Sequence, residues 1–296
     1  MHRLWFSRGY RPHHLKLTFR GKHFDRGEVV RYNAVHNELI VNANAEMHTV
    51  VDAVQRLPSS TVVRWLHGYP SLVAEFAHAF SSSGGVGLER FRSRLFGVLL
   101  GSEYPAPVYR TVIEDVLSSN VLSWYGHSEM AVLAGETARG VYHSLPSYGY
   151  AEALKQGNGS EDKLVCTSLH NRVHPFIRYD TGDLVEAISQ EGGGLSFRVT
   201  EGRVGDFVLD RNGQRHSLTA IVFGRHHPGF GLVKHLQVKD VAPGRVTMVI
   251  TPQRADVDIE SIRQGFDLND LDIDWAFELV DAPVRTAAGK IKLKIS

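Results

Sequence analysis

The sequence predicts an α/β chain of three successive parts: a helix-crossed parallel sheet, then an antiparallel β subdomain, then a small α+β unit at the C-terminus. Three observations carry this prediction. The apolar run Phe96–Leu100, the Gly101-Ser102-Glu103 turn, a helical stretch through Val108, Val112, Ile113, Val116 and Leu117, and the run Val121–Trp124 form a strand–helix–strand crossover. Beyond residue 160 the apolar positions alternate, as in Leu164, Cys166 and Ser168 and in Leu195, Phe197 and Val199, with Gly192-Gly193-Gly194 as connector. After Asp206 come strands near Leu232–Lys239 and Arg245–Thr251, a helix carrying Ile259, Ile262 and Phe266, and a strand near Trp275–Val280. A boundary near Gly205 divides the chain into 1–204 and 205–296.

Composition narrows the class. The 296 residues carry 33 Lys plus Arg against 32 Asp plus Glu, a net charge of +1, with 43% apolar and 22% charged residues. Neither disorder nor coiled coil fits, and overall charge gives no argument for nucleic acid or membrane. The single cysteine, Cys166, cannot form an internal disulfide, and no apolar stretch approaches the ~20 residues of a membrane-spanning helix. The chain is therefore read as cytoplasmic, with Cys166 packed in an alternating strand.

Residues 1–26 hold seven basic side chains (Arg3, Arg8, Arg11, Lys16, Arg20, Lys22, Arg26), four histidines and one acid, Asp25. The stretch reads as a solvated face or the exposed flank of a larger fold, with a nucleic-acid arm as the alternative. Val50, Val51, Val54 and Leu57 recur at helical steps until Pro58. A second helix starts at Pro70-Ser71, where proline suits a first turn that needs no amide donor, and Leu72, Val73, Phe76, Ala77 and Phe80 mark its buried face. Ser81-Ser82-Ser83-Gly84-Gly85-Val86-Gly87 reads as a linker. Ligands of parallel sheets bind at the carboxyl ends of strands, which singles out Gly101, Ser102 and Glu103 and the residues after Trp124.

Four segments carry chemistry: Tyr125-Gly126-His127-Ser128-Glu129, Arg178-Tyr179-Asp180-Thr181-Gly182-Asp183, Glu201-Gly202-Arg203-Val204-Gly205-Asp206 and Arg285-Thr286-Ala287-Ala288-Gly289-Lys290-Ile291. In this order and spacing they resemble the adenylate-forming ligase superfamily of acyl- and aryl-CoA synthetases. Leu66-His67-Gly68-Tyr69-Pro70-Ser71, Thr167–Arg172 ahead of Pro175–Tyr179, and Lys234–Val238 look like the phenylacetate-CoA ligase branch, which includes adenylate-forming proteins linked to capsular polysaccharide biosynthesis. The resemblance covers most of residues 60–296.

The resemblance implies a large adenylate-forming domain, a parallel sheet plus a β subdomain, followed by a small C-terminal lid. It also implies ATP and Mg²⁺ as cofactors, a small-molecule carboxylate as substrate, and CoA as a candidate acceptor. Tyr125 and Gly126 would lie along the adenine, Ser128 beside the α-phosphate, and Glu129 on Mg²⁺, a hard cation that takes carboxylate oxygens and water. The alternative for this segment is a strand-to-loop turn with a surface Glu. Asp183 would accept both ribose hydroxyls, against the alternative of a turn aspartate bonding its own backbone. Arg203 would reach ribose or phosphate, and Arg215 is a second phosphate-facing candidate, equally a solvated loop charge. Lys290 would be the catalytic lysine, against the alternative of a basic tail with Lys292 and Lys294.

Three departures stand out. The residue before Thr181, often basic in the family, is Asp180; the hinge acid two after Arg203 is Gly205. The Ser/Thr/Gly-rich phosphate loop followed by lysine does not occur. The resemblance thus implies a chain starting partway through the large domain, lacking roughly a hundred family residues, which a partner subunit or separate N-terminal segment would supply.

Overall fold

The computed structural model describes the chain except residues 21, 23, 25–26, 43–44, 105, 156–160, 202–206, 219–220, 223–226, 287–290 and 296, and except the side chains of residues 201, 215 and 217. Its described residues divide into two compact units, those of 1–126 with Thr286, and those of 127–285 with 291–295. The expected boundary near Gly205 falls outside the described residues.

In the first unit the elements are α1 (His2–Ser7), β1 (Leu15–Phe19), β2 (Val30–Asn33), β3 (Glu38–Val41), α2 (Met47–Gln55), β4 (Val63–Gly68), α3 (Pro70–Ser82), α4 (Gly85–Arg92), β5 (Gly97–Leu100), α5 (Pro107–Leu117) and β6 (Asn120–Gly126). The strands form a sheet in the order β2-β3-β1-β4-β5-β6. All neighbours are parallel except β2 with β3. The predicted crossover is present as β5–α5–β6. Helix α3 begins at Pro70 and buries Leu72, Val73, Phe76, Ala77 and Phe80. The Ser81–Gly87 segment is not a linker throughout: it ends α3 and, from Gly85, supplies the first turn of α4.

The N-terminal stretch also departs from expectation. Residues 15–19 form a central strand in which Lys16, Leu17, Thr18 and Phe19 are all buried, and Trp5 and Tyr10 pack on Trp65, Leu99 and Leu122. Lys16 Nζ lies 3.3 Å from Glu38 Oε2 and donates to His36 O at 2.6 Å, while Thr18 donates to Glu38 at 2.9 Å. A cation enters a sheet interior because the carboxylate across the ladder neutralises it; Lys16 and Glu38 are register partners. The basic stretch is therefore partly core rather than a solvated flank.

The second unit contains β7 (Leu133–Ala138), β8 (Val141–Ser144), β9 (Gly149–Lys155), β10 (Asp162–Ser168), β11 (Tyr179–Glu191) and β12 (Gly194–Glu201), an antiparallel sheet ordered β7-β8-β12-β11-β10-β9. The hairpin β13 (Phe207–Leu209) and β14 (Arg215–Ser217) follows. The last elements are β15 (Val233–Ala242), β16 (Arg245–Pro252), α6 (Ile259–Gln264), β17 (Asp274–Leu279) and β18 (Lys294–Ile295), with the sheet order β17-β16-β15-β18. The strand–strand–helix–strand reading of the C-terminal segment thus holds, except that the helix ends at Gln264 and Phe266 lies beyond it.

Candidate active site

The carboxyl ends of β4, β5 and β6 bring three loops of the first unit to one edge of its sheet. Gly68 ends β4 where an added Cβ would lie 2.2 Å from Phe19 O, so the backbones meet without room for a side chain. Gly101 follows β5 against the Trp124 ring, and a Cβ there would lie 2.2 Å from the indole. Ser102 adopts φ +68°, a left-handed turn, and Glu103 Oε2 accepts the Ser71 N–H at 3.3 Å, at the start of α3. A carboxylate there satisfies one of the orphan amides of the helix N-terminus. Tyr125 and Gly126 are the last residues of β6 and are partly buried.

Beside them, Arg20 at the end of β1 donates from Nη2 to His67 Nδ1 at 3.2 Å. His67 is buried, with Trp5 against its ring at 4.7 Å. Burial first, and then the charges of Arg20 and Lys16, hold its imidazole well below the ordinary histidine range. It stays neutral and acts as acceptor. The sequence carried no sign of this pair, because nothing in Arg20 or His67 alone reports that their strands are neighbours.

In the second unit His127-Ser128-Glu129 forms a turn, with Ser128 exposed and Glu129 partly buried. Glu129 Oε2 is buried, accepts no hydrogen bond from the described residues, and lies 3.1 Å from His127 Nδ1. The His127 ring is 6.1 Å from that of Tyr179, which packs on Phe176 at 4.8 Å. His127, to which sequence reasoning gave no role, thus ties the Glu129 turn to the strand that leads into Asp183; its spacing of two from Glu129 was the available signal.

Asp183 sits in an irregularity of β11. Val165 pairs with Asp180 and Lys163 with Leu184, so Leu164 alone stands opposite Thr181, Gly182 and Asp183. Two residues are in excess and the strand bulges. Gly182 takes φ +77° and donates to Asp180 Oδ1 at 3.0 Å; Thr181 Oγ1 donates to Leu164 O at 2.9 Å and accepts the Asp183 N–H at 3.2 Å. The aspartate that closes the turn on its own backbone is therefore Asp180. Lys163 Nζ, 2.9 Å away, offsets Asp180's charge. Although burial pulls its carboxyl upward, the Lys163 and Gly182 hydrogen bonds and the Lys163 charge outweigh that and leave it below the usual range. Asp180 thus has its own counter-ion in Lys163. Cys166, buried on β10, has its thiol pushed up to about 12 by burial and then by the charges of Asp183 and Glu152.

Arg203 and Lys290 lie outside the described residues, as does the side chain of Arg215, whose backbone opens β14. Gly205 and Asp206 are likewise outside them. His227 is a satisfied core histidine: Nε2 pairs with Ile221 O at 2.9 Å and Nδ1 accepts the Asp267 N–H at 3.2 Å. Among the described residues no three His, Cys, Asp or Glu are grouped as a metal site, and no helix is long and apolar enough to cross a membrane.

No protein-family profile and no curated protein matches the sequence. Solved structures match its fold. 2-Hydroxyisobutyryl-CoA ligase, in the postadenylation state with R3-HIB-AMP, superimposes with a TM-score of 0.68 at 17% identity, over 99% of this chain and 67% of that one. The chain has the adenylate-forming ligase fold. The anthranilate-CoA ligase AuaEII, in complex with anthranoyl-AMP, matches with a TM-score of 0.61 at 12% identity, over 98% of this chain and 60% of that one. The amide bond synthetase McbA from Marinactinospora thermotolerans gives 0.61 at 16% identity, over 95% and 61%. This chain thus spans between 60% and 67% of the length of these three ligases.

Proposed function

We propose that the chain is an ATP-dependent adenylate-forming ligase, joining a small-molecule carboxylate to AMP with release of pyrophosphate and then passing the acyl group to CoA. Its sequence motifs support a reading in the phenylacetate-CoA ligase branch. The observation that carries it is the Thr181–Asp183 bulge, which holds a partly buried carboxylate out of strand register, in a chain whose fold matches ligases crystallised with acyl adenylates.

In this reading Asp183 accepts the two ribose hydroxyls, charge-assisted bonds that a neutral side chain cannot equal. Gly101–Glu103, Tyr125 and Gly126 line the nucleotide with backbone, and Ser128 stands at the α-phosphate. The buried Glu129 Oε2, which accepts no hydrogen bond from the described residues, fits a hard cation. One carboxylate suffices for Mg²⁺, because the ion keeps waters and nucleotide oxygens as its other ligands. The ion supplies charge neutralisation at the phosphates. Arg203 and Arg215 add fixed donors toward the nucleotide. Residues 205–296 act as the lid that brings Lys290 to the α-phosphate and the attacking carboxylate, a contribution of about 2.7–4 kcal/mol for one such donor.

Pyrophosphate release on incubation with ATP, Mg²⁺ and a panel of aryl and fatty acids tests this. Release above the ATP-only rate with at least one acid is the expected result. AMP binding with no release for any acid would favour a second reading, a non-catalytic AMP-binding or partner-binding relative.

A further inference from the structure

The amino-terminal edge of the first unit's parallel strands, opposite the edge just described, holds a cavity of about 470 Å³. Its walls include His13, His14, Asn37, Thr61, Arg64 and Phe96, and no carboxylate is among the described lining residues. The volume is that of a small-molecule pocket rather than a packing fault.

The cations in it are held in place. Trp65 Nε1 and the Arg11 N–H both donate to His14 Nδ1, each at 3.2 Å, so the proton of the neutral imidazole sits on Nε2. The Arg64 guanidinium lies 4.5 Å from the Phe96 ring centroid and donates from Nη1 to Arg94 O at 3.1 Å. That uses one of its five donors. Neither Arg64 nor His13 forms an ion pair with a described residue, and Asn37 Nδ2 holds the His13 carbonyl at 2.9 Å. Burial, and then the charges of His13, Arg64 and Arg11, hold His14 below the ordinary histidine range. The charges of His13, Arg64 and Arg11 all push the same way, and the described residues lining the cavity include no carboxylate to offset them.

We infer that this cavity binds a phosphate-bearing small molecule, taken by the free N–H groups of Arg64, by His13 and His14, and by the Thr61 hydroxyl. A planar guanidinium fork matches phosphate oxygens. The 46% exposed Phe96 ring beside these donors offers an apolar floor for the rest of a small molecule.

The test uses the full chain carrying Asp183→Asn, so that the proposed nucleotide site does not contribute. The His14 imidazole resonances are followed by NMR while inorganic phosphate, pyrophosphate, AMP and a short single-stranded oligonucleotide are added separately. Saturable shifts of His14, with a raised midpoint of its titration, are expected with at least one of the first three. Binding by phosphate or pyrophosphate identifies the oxyanion itself as sufficient; response to AMP alone identifies an organic phosphate. Arg64→Gln should weaken the binding about tenfold or more, and Arg64→Lys less. Because Arg64 also supports Arg94, His13→Ala is measured alongside; it too should weaken binding, with the fold intact. No saturable shift, a response to the oligonucleotide only, or equal affinity in Arg64→Gln and His13→Ala would overturn the inference. A failure of pyrophosphate release in the ligase assay would leave this result unaffected.

Discussion

Lys16 and Glu38 offer the sharpest test of how the sheet is built. Both side chains are nearly inaccessible, at 5% and 6% exposure, and they lie 3.3 Å apart. Replacing Lys16 with Met leaves a buried carboxylate whose remaining donors are Thr18 at 2.9 Å and Asn33 at 3.1 Å. Breaking a buried pair from one side costs about 3–5 kcal/mol, and the two surviving hydrogen bonds place Lys16→Met near the lower end. Glu38→Gln keeps an acceptor for Thr18 but removes the charge opposite the ammonium, which retains the His36 carbonyl and the Tyr10 ring 6.0 Å away, and should cost a similar amount. The double variant removes both charges, so its loss should fall short of the sum of the singles by about 1–3 kcal/mol. Urea unfolding of the four proteins, at constant m-value, measures the cycle. Additive losses, or single variants as stable as the parent, would show that these side chains are not a buried pair and that residues 15–19 are not a central strand.

Three further expectations follow from the same geometry. Burial pulls Glu38's carboxyl upward, but the Lys16 charge, the Thr18 and Lys16 hydrogen bonds and the Arg20 charge outweigh it, so its pKa is lowered from 4.5. Its contribution to stability should be complete above pH 4.5 and be lost as pH falls through the folded-state value, whereas Glu38→Gln should flatten that part of the urea–pH profile. With its thiol at about 12 against an ordinary 9.0, Cys166 should hold roughly a thousandfold less thiolate than a free cysteine at pH 8. Iodoacetamide should therefore label it only on unfolding, and labelling at the free-thiol rate in the folded protein would contradict its burial. At Gly149 an added Cβ would stand 1.9 Å from Ala131 O, so Gly149→Ala should destabilise by about 1–3 kcal/mol in the same urea assay; no loss would contradict the close approach of the two backbones.

Helix α3 and the β5–α5–β6 crossover were legible because their signals are local: a proline at the first turn, a stripe of apolar side chains, a short apolar run before glycine. Strand β1 was not legible. Its Lys16 and Thr18 look like solvent-facing residues until Glu38 is known to stand beside them in the ladder. The Thr181-Gly182-Asp183 turn could be read as a turn, yet its being a bulge depends on counting residues in β10, which the sequence of β11 does not contain. Lys163 as counter-ion to Asp180 was hidden for the same reason. Arg203 and Lys290 rest on resemblance alone, since both lie outside the described residues.

The most direct measurement of the central claim is the affinity for AMP, by calorimetry, in the parent chain and in Asp183→Asn. If the β11 bulge presents a carboxylate to the ribose, losing its charge-assisted bonds should weaken AMP binding by about tenfold or more, with urea stability little changed. Equal affinity in the two proteins would contradict the claim, and with it the placing of adenosine at this strand.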